Sequence, residues 1–156
     1  MRRTILLALA GMAMAAPAAS QPLPPPPFAN PLDMMRADFM ARTGGDKVYF
    51  ANDGHGLDAA ARATLAAQAR WLLLNPHVPV RIEGHADERE NRSRALAIGE
   101  RRAAAVRDFL VLQGVPAAQI AILSWGKERP EVEGLAPLAI ARNRRAVTVL
   151  MPRAPF

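Results

Sequence analysis

The sequence predicts one α/β domain, a small sheet with helices packed on one face. Two observations carry that expectation. From Lys47 onward, short β-rich runs alternate with longer segments whose apolar residues recur every three or four positions. Turn residues punctuate the pattern, giving the order strand, helix, strand, helix, strand, loop, strand. The 156 residues allow one domain with a tail. They include no cysteine, so no disulfide staples the fold and its core must hold it unaided.

The first twenty residues read as a segment apart from that domain. Arg2 and Arg3 precede an apolar run from Ile5 to Ala16, and small residues close it with Ala16-Pro17-Ala18 and Ala18-Ala19-Ser20 as cleavage sites. That is the layout of a secretory signal peptide over residues 1–20. The run is shorter than the roughly 20 apolar residues that span a bilayer. With no cysteine beside the cleavage site, no lipid anchor is expected there, and the cleaved chain is expected to be soluble. Residues 21–45 then hold Pro24 to Pro27, a stiff extended spacer, and a short amphipathic pattern (Leu32, Met35, Phe39) that allows one helix between Asn30 and Arg42.

The domain proper is expected over residues 46–152. Lys47 to Phe50 reads as the first strand. Asp58 is placed to cap a helix whose apolar positions are Ala61, Leu65, Ala69 and Leu72, and Asn75-Pro76 stops it. Val78 to His85 alternates, with Val80 and Ile82 on one face and Arg81 and Glu83 on the other, as a half-buried strand does. A polar loop leads into a second helix from Arg94 to Gln113, with the stripe Leu96, Gly99, Ala103, Val106 and Leu110, and Gly114 ends it. Ile120 to Trp125 is a third strand, a helical turn is expected around Ala136 to Ala141, and Ala146 to Leu150 is the fourth strand.

The formal charge is +6, and cleavage after residue 20 would lower it by two. A basic balance invites a nucleic-acid reading. Two features argue against it: acids are interleaved with the bases, and aromatic residues make up only 5% of the chain, too few for base-stacking platforms. In an exported protein such a surface favours anionic neighbours, wall polymers or lipid headgroups.

The most informative stretch is Gly84-His85-Ala86-Asp87-Glu88-Arg89, followed by Gly99-Glu100-Arg101-Arg102-Ala103. Asp87 falls just past the C-terminal end of the second strand, where crossover loops build ligand sites. Arg102 lies on the returning helix, and helix side chains lean toward the N-terminus, so its guanidinium can reach back toward Asp87. It sits about 100° from the buried stripe, and Arg101 about twice as far round, facing water. A carboxylate and a guanidinium together suit a zwitterion, one taking an ammonium and the other gripping a carboxylate in a two-pronged fork. The same pair could equally bridge loop and helix as a plain ion pair, and spacing alone leaves both readings open.

Other chemistries find less support. His85-x-Asp87-Glu88 is a weak metal signal with no second cluster to complete a shell. His55 and His77 read as loop or surface residues. Ser93 and Ser124 have no evident base, so catalysis is not expected, and neither is a cofactor. Trp71 and Trp125 read as packing residues.

These blocks resemble the OmpA-like C-terminal domain family, most closely its peptidoglycan-associated lipoprotein branch, though without that branch's lipobox cysteine. The resemblance runs from Lys47 to Met151. It rests on Val48-Tyr49-Phe50 with Asp53, on Glu83 to Arg89, on Leu96 to Ala103 with Val106, on Ser124 to Pro130, and on Asn143 to Val147. It implies a two-layer sandwich of order βαβαβ(α)β with a four-stranded mixed sheet. It also implies non-covalent binding of the meso-diaminopimelate of peptidoglycan stem peptides in the periplasm, supporting envelope organisation. Asp87 and Arg102 stand where the family holds the ligand's amino-acid head, and Asp53 matches a further pocket position. The chain departs from the family at Glu90, usually glycine, and at Arg94-Ala95, commonly Tyr-Asn, so Ala95 lacks a contact that the asparagine makes in relatives. Relatives also dock a β-propeller partner of the Tol system on this face. A protein-interaction adaptor that keeps the fold with weak or no wall binding is therefore the alternative.

Overall fold

A computed structural model of the chain describes residues 30–52 and 54–152. The signal peptide expected over residues 1–20, the proline-rich run and Asp53 lie outside the described residues.

Helix α1 (Pro31–Thr43) opens the fold. Its N-cap Asn30 accepts a hydrogen bond from the backbone N–H of Asp33 at 3.0 Å, and Gly44 closes it in the left-handed conformation at φ 76°. Strand β1 (Lys47–Tyr49) is one residue shorter than expected. Helix α2 (Ala59–Leu74) starts at its expected cap, Asp58 Oδ1 accepting from Ala61 N at 2.7 Å, and buries all four residues of its stripe. Strand β2 (Val80–His85), helix α3 (Arg92–Leu112), strand β3 (Ile120–Gly126), helix α4 (Pro137–Asn143) and strand β4 (Arg145–Leu150) follow. A 3-10 turn (Ala117–Gln119) before β3 was not expected.

The sheet order is β1-β4-β2-β3. β2 runs parallel to β3, while β4 is antiparallel to both β1 and β2, so the sheet is mixed. Two contacts show that α2 and α3 cover one face. Thr148 Oγ1 of β4 donates to Gln68 Oε1 of α2 at 2.7 Å, and Gly84 of β2 lies against Gly99 of α3. Between sheet and helices lies one apolar core that includes Leu65, Leu72, Val80, Ile82, Val106 and Leu110. α1 joins it through Phe39, whose ring meets Trp71 edge-on at 5.1 Å, while Trp71 Nε1 donates to Asp38. All buried members of this core fall between Phe39 and Leu150.

Three local expectations need correction. β2 begins at Val80 rather than Val78, because Val78 is buried in the connection that precedes the strand. Glu83 is buried although it points away from the helices: Arg81 pairs with it, and the segment after β3 crosses that face, where Glu131 bonds Lys47 and Tyr49. On α3 the buried stripe is turned toward Ala95, Ile98 and Arg102, and Leu96 is 37% exposed. The first half of α3 packs under the loop at Ala86, which leaves Leu96 beside the uncovered edge of β3.

Candidate functional site

With β1, β2 and β3 pointing the same way and β4 the other, the C-terminal ends of the first three meet the start of β4 at one pole. Crossover loops collect there, which is where α/β sheets build ligand sites. The pole holds Asn52 and Gly54 after β1, the loop from Ala86 to Asn91 after β2, and Arg144 before β4.

Glycines decide how close α3 comes. A Cβ on Gly84 would lie 1.7 Å from the carbonyl oxygen of Gly99, and one on Gly99 would meet Ser124 Oγ at 2.3 Å. Helix and sheet therefore touch backbone to backbone, one turn from Arg102. That contact lays the arginine across the sheet end.

Arg102 is 1% exposed. Its Nη1 donates to His85 O at 2.8 Å, its Nε to Gly54 O at 3.0 Å and its Nη2 to Asn52 O at 2.9 Å. The guanidinium also lies 5.3 Å from the ring centre of Phe50. Three backbone acceptors on two segments fix the plane of the fork. The residues on either side of Asp53 are thus both bound to Arg102, and Asp53 itself lies outside the described residues. Asn52 takes φ 49°, a conformation asparagine tolerates better than most residues.

Asp87 is 2% exposed. Its Oδ1 accepts from Arg89 N at 3.0 Å and Arg89 Nε at 2.9 Å, and its Oδ2 accepts from Arg89 Nη2 at 2.8 Å. Burial works to raise the carboxyl's pKa, but the Arg89 bonds and the charges of Arg89 and Arg144 outweigh it and hold the group below the usual range. The Arg89 side chain is 44% exposed, so the bonds that satisfy Asp87 come from the solvent side. Arg101 faces water as expected, whereas Arg102 is buried more deeply than its angle to the stripe suggested.

The structure thus brings Asp87 and Arg102 to one pole, linked through the strand end at His85. Sequence reasoning gave no site role to Arg89, Phe50 or Arg144. Arg89 carried a signal: an aspartate followed two residues later by a donor is the spacing of an Asx-turn. Arg144 falls in the Asn143 to Val147 block of the resemblance, but its place at this pole comes from the strand register, with Arg144 Nε donating to Phe50 O at 3.1 Å. His85 is buried with neither ring nitrogen hydrogen-bonded among the described residues. Burial, followed by the charges of Arg145 and Arg129, pushes its pKa down to about 3 although the Arg129 backbone pulls the other way.

Glu90 and Arg94 pair with each other at 2.9 Å across one helical turn, and Ala95 is fully buried against Ala86 and Ile98. Ion pairs Glu88–Lys127 at 3.4 Å and Arg92–Glu128 at 2.9 Å brace the same loop against the turn after β3. Ser124 Oγ donates to Leu96 O at 2.7 Å, which commits that hydroxyl to backbone. Trp71 packs in the core as expected, and Trp125 lies under Arg129 at 3.5 Å. An apolar cleft of about 480 Å³, lined by Leu32, Met35, Val78 and Met151 among others, lies at the opposite pole and presents no Asp, Glu, Lys or Arg side chain among the described residues. No helix among the described residues is long and apolar enough to cross a membrane.

The model of the OmpA family matches residues 49–144, more than half of the chain. The chain is 48% identical over 106 residues to the peptidoglycan-associated lipoprotein of Agrobacterium fabrum, covering 68% of this chain and 60% of that one. It is also 48% identical to the protein of that name from Brucella melitensis, covering 68% and 63%. The match therefore spans less than two thirds of the length of these curated relatives. Among solved structures, the peptidoglycan-associated lipoprotein from Burkholderia pseudomallei superposes with a TM-score of 0.67 at 37% identity, covering 69% of this chain and 92% of that one. The C-terminal domain of Helicobacter pylori MotB shares the fold at 18% identity, with a TM-score of 0.63 and coverage of 70% and 86%.

Proposed function

Because the chain belongs to the OmpA family, we propose that its charged pole binds peptidoglycan non-covalently in the cell envelope. The ligand group in this reading is the meso-diaminopimelate of the stem peptide. Asp87 accepts hydrogen bonds from its ammonium, Arg102 grips its carboxylate, and Asp53 completes the pocket. The names of the curated relatives support the polymer, since they are peptidoglycan-associated proteins.

One observation carries the assignment of the residues: a carboxylate and a guanidinium, each 2% exposed or less, are held at the common end of three strands. Burying two charges is costly unless the geometry is fixed, and here fixed donors and acceptors supply it. Arg89, being the more exposed partner, is the side chain that an incoming ammonium displaces or joins at Asp87. Glu90 and Arg94 neutralise one another, so these departures from the family pattern add little net charge beside the site. The proposed activity is binding without catalysis, and the proposed compartment is the periplasm.

Sedimentation with isolated diaminopimelate-type sacculi tests this reading, using residues 21–156, which retain every core residue among those described. Wild type is expected in the pellet, with Asp87→Ala and Arg102→Ala left in solution. Truncating one partner of a desolvated charge pair costs about 2–5 kcal/mol, enough to abolish retention. Equal retention of wild type and folded Asp87→Ala would sink the assignment. Folded wild type that stays in solution and recovers only proteins from an envelope extract would favour the adaptor reading.

A further inference from the structure

Charge divides the two ends of this domain. At the candidate site, six of the eight residues from Asp87 to Arg94 are charged. α2 and α3 both run away from that pole, and their last turns meet the connections to β2 and β3 at the opposite one. The stretches that turn the chain there, residues 71–80 and 109–119, contain no Asp, Glu, Lys or Arg.

The uncharged pole is held in shape. Gln119 is buried, and its Nε2 donates to Asn75 O at 3.0 Å and to Val78 O at 2.8 Å, tying one connection to the other. A Cβ on Gly114 would lie 3.9 Å from Leu73, so the ends of α2 and α3 stand together. From this end Leu74 and Leu112 project, 79% and 80% exposed, more than any other large hydrophobic side chain among the described residues. Leu73 and Val111 are exposed beside them, and the cleft of Leu32, Met35 and Met151 opens at the same pole. Apolar surface gathered at one end marks a contact with a protein or a membrane.

The nearest charges sit behind the leucines. Arg70, one turn before Leu74, is exposed and has no ion-pair partner among the described residues. It lies about 6 Å back along the helix axis, within reach of headgroup phosphates when a leucine tip enters the acyl region. On α3, Arg107 and Asp108 pair at 2.8 Å and cancel.

We propose that this pole binds the surface of a lipid bilayer, with Leu74 and Leu112 entering the acyl region and Arg70 meeting the headgroups. The choice of lipid rests on the wall-binding reading of the charged pole: with the wall held there, the opposite pole faces away from it, toward a membrane of the envelope. Leucines projecting from two helix ends need no matched partner surface to enter hydrocarbon, and a basic side chain behind them suits anionic lipid. The contact gives the domain a second, reversible hold, so that one molecule touches wall and membrane together.

Flotation of residues 21–156 with mixed phosphatidylethanolamine and phosphatidylglycerol vesicles tests the proposal in the absence of wall. Wild type is expected to float, and Asp87→Ala to float equally, so failure of the wall reading would leave this result in place. Leu74→Ser combined with Leu112→Ser, at exposed positions, is expected to keep the circular dichroism spectrum and to partition at least about tenfold more weakly. The chain has no cysteine, so Leu74→Cys and Ser93→Cys can each carry a single polarity-sensitive dye. A blue shift with vesicles is expected at position 74 and not at position 93, on the charged side. Wild type that stays out of the floating fraction overturns the proposal. So does a folded double variant that floats like wild type, or an equal shift at both dye positions. A wild-type dimer that the two serines dissociate, without flotation, would assign the pole to a second copy instead.

Discussion

Arg102 donates from Nη1 to the carbonyl of His85 at 2.8 Å, tying a helix side chain to the strand end two residues before Asp87. Its bonds to Asn52 O and Gly54 O tie the loop after β1 to the same guanidinium. One arginine thereby sets the relative position of a helix, a strand end and a loop. The residue proposed to grip the ligand thus also builds the frame around the candidate site.

Replacing Arg102 is accordingly expected to cost stability as well as binding. Arg102→Ala leaves three backbone carbonyls without this donor and is expected to lose about 2–5 kcal/mol in urea denaturation. Arg102→Lys keeps the charge but lacks the fork, so it is expected to fall between alanine and wild type. Wild-type stability in Arg102→Ala would contradict the framing role.

Asp87→Asn separates charge from shape. The Asp87 carboxyl titrates below its ordinary value, so its ionised form favours the folded state above the unfolded pKa of about 3.9. That contribution is lost as pH falls through the lower folded value. Stability of the Asp87→Asn variant, followed by thermal denaturation, is therefore expected to change less with pH below about 4.

His85 is expected to set the next pH window up. Its pKa is 6.5 in the unfolded chain and about 3 in the fold, so the neutral ring favours folding above pH 6.5. As pH falls from there toward the folded value, protonation of the unfolded chain erodes stability, by at most about 1.4 kcal/mol per pH unit. Arg145, Arg129 and Lys47 are the cations that oppose its protonation in place. His85→Phe is expected to flatten the slope between those two values, and an unchanged slope would show that other groups carry it.

Gly84→Ala tests the backbone contact that seats α3. The added Cβ would fall 1.7 Å from Gly99 O, with backbone on both sides, so the helix must shift. A loss above about 3 kcal/mol, or failure to fold, is expected on denaturation, in line with severe core overpacking.

Much of this architecture was legible because period and punctuation agree. The four strands and the helices after Asp58 and before Gly114 lie within two residues of their expected bounds at most ends, since caps such as Asp58 act locally. What local reading missed depends on neighbours distant in sequence. Glu83 alternates onto the outer face of β2, yet Glu131 and its segment, some 50 residues away, cross that face. Leu96 fits a helical stripe, but α3 lies at the sheet's edge there and covers only part of the circumference. At the site, Asp87 and Arg102 were readable from their place after a strand and on the returning helix. Arg144 was not, because its approach to that pole follows from β4 running antiparallel between β1 and β2.

The most direct test of the central claim is titration of a stem peptide ending in meso-diaminopimelate, beside the same peptide ending in lysine. The two differ by the distal carboxylate, the group assigned to Arg102, while both keep the ammonium assigned to Asp87. Calorimetry is expected to show binding of the diaminopimelate peptide and at least about tenfold weaker binding of the lysine peptide, a difference of roughly 1.4 kcal/mol. Equal affinity for the two peptides, or no binding of either by folded protein, would contradict it.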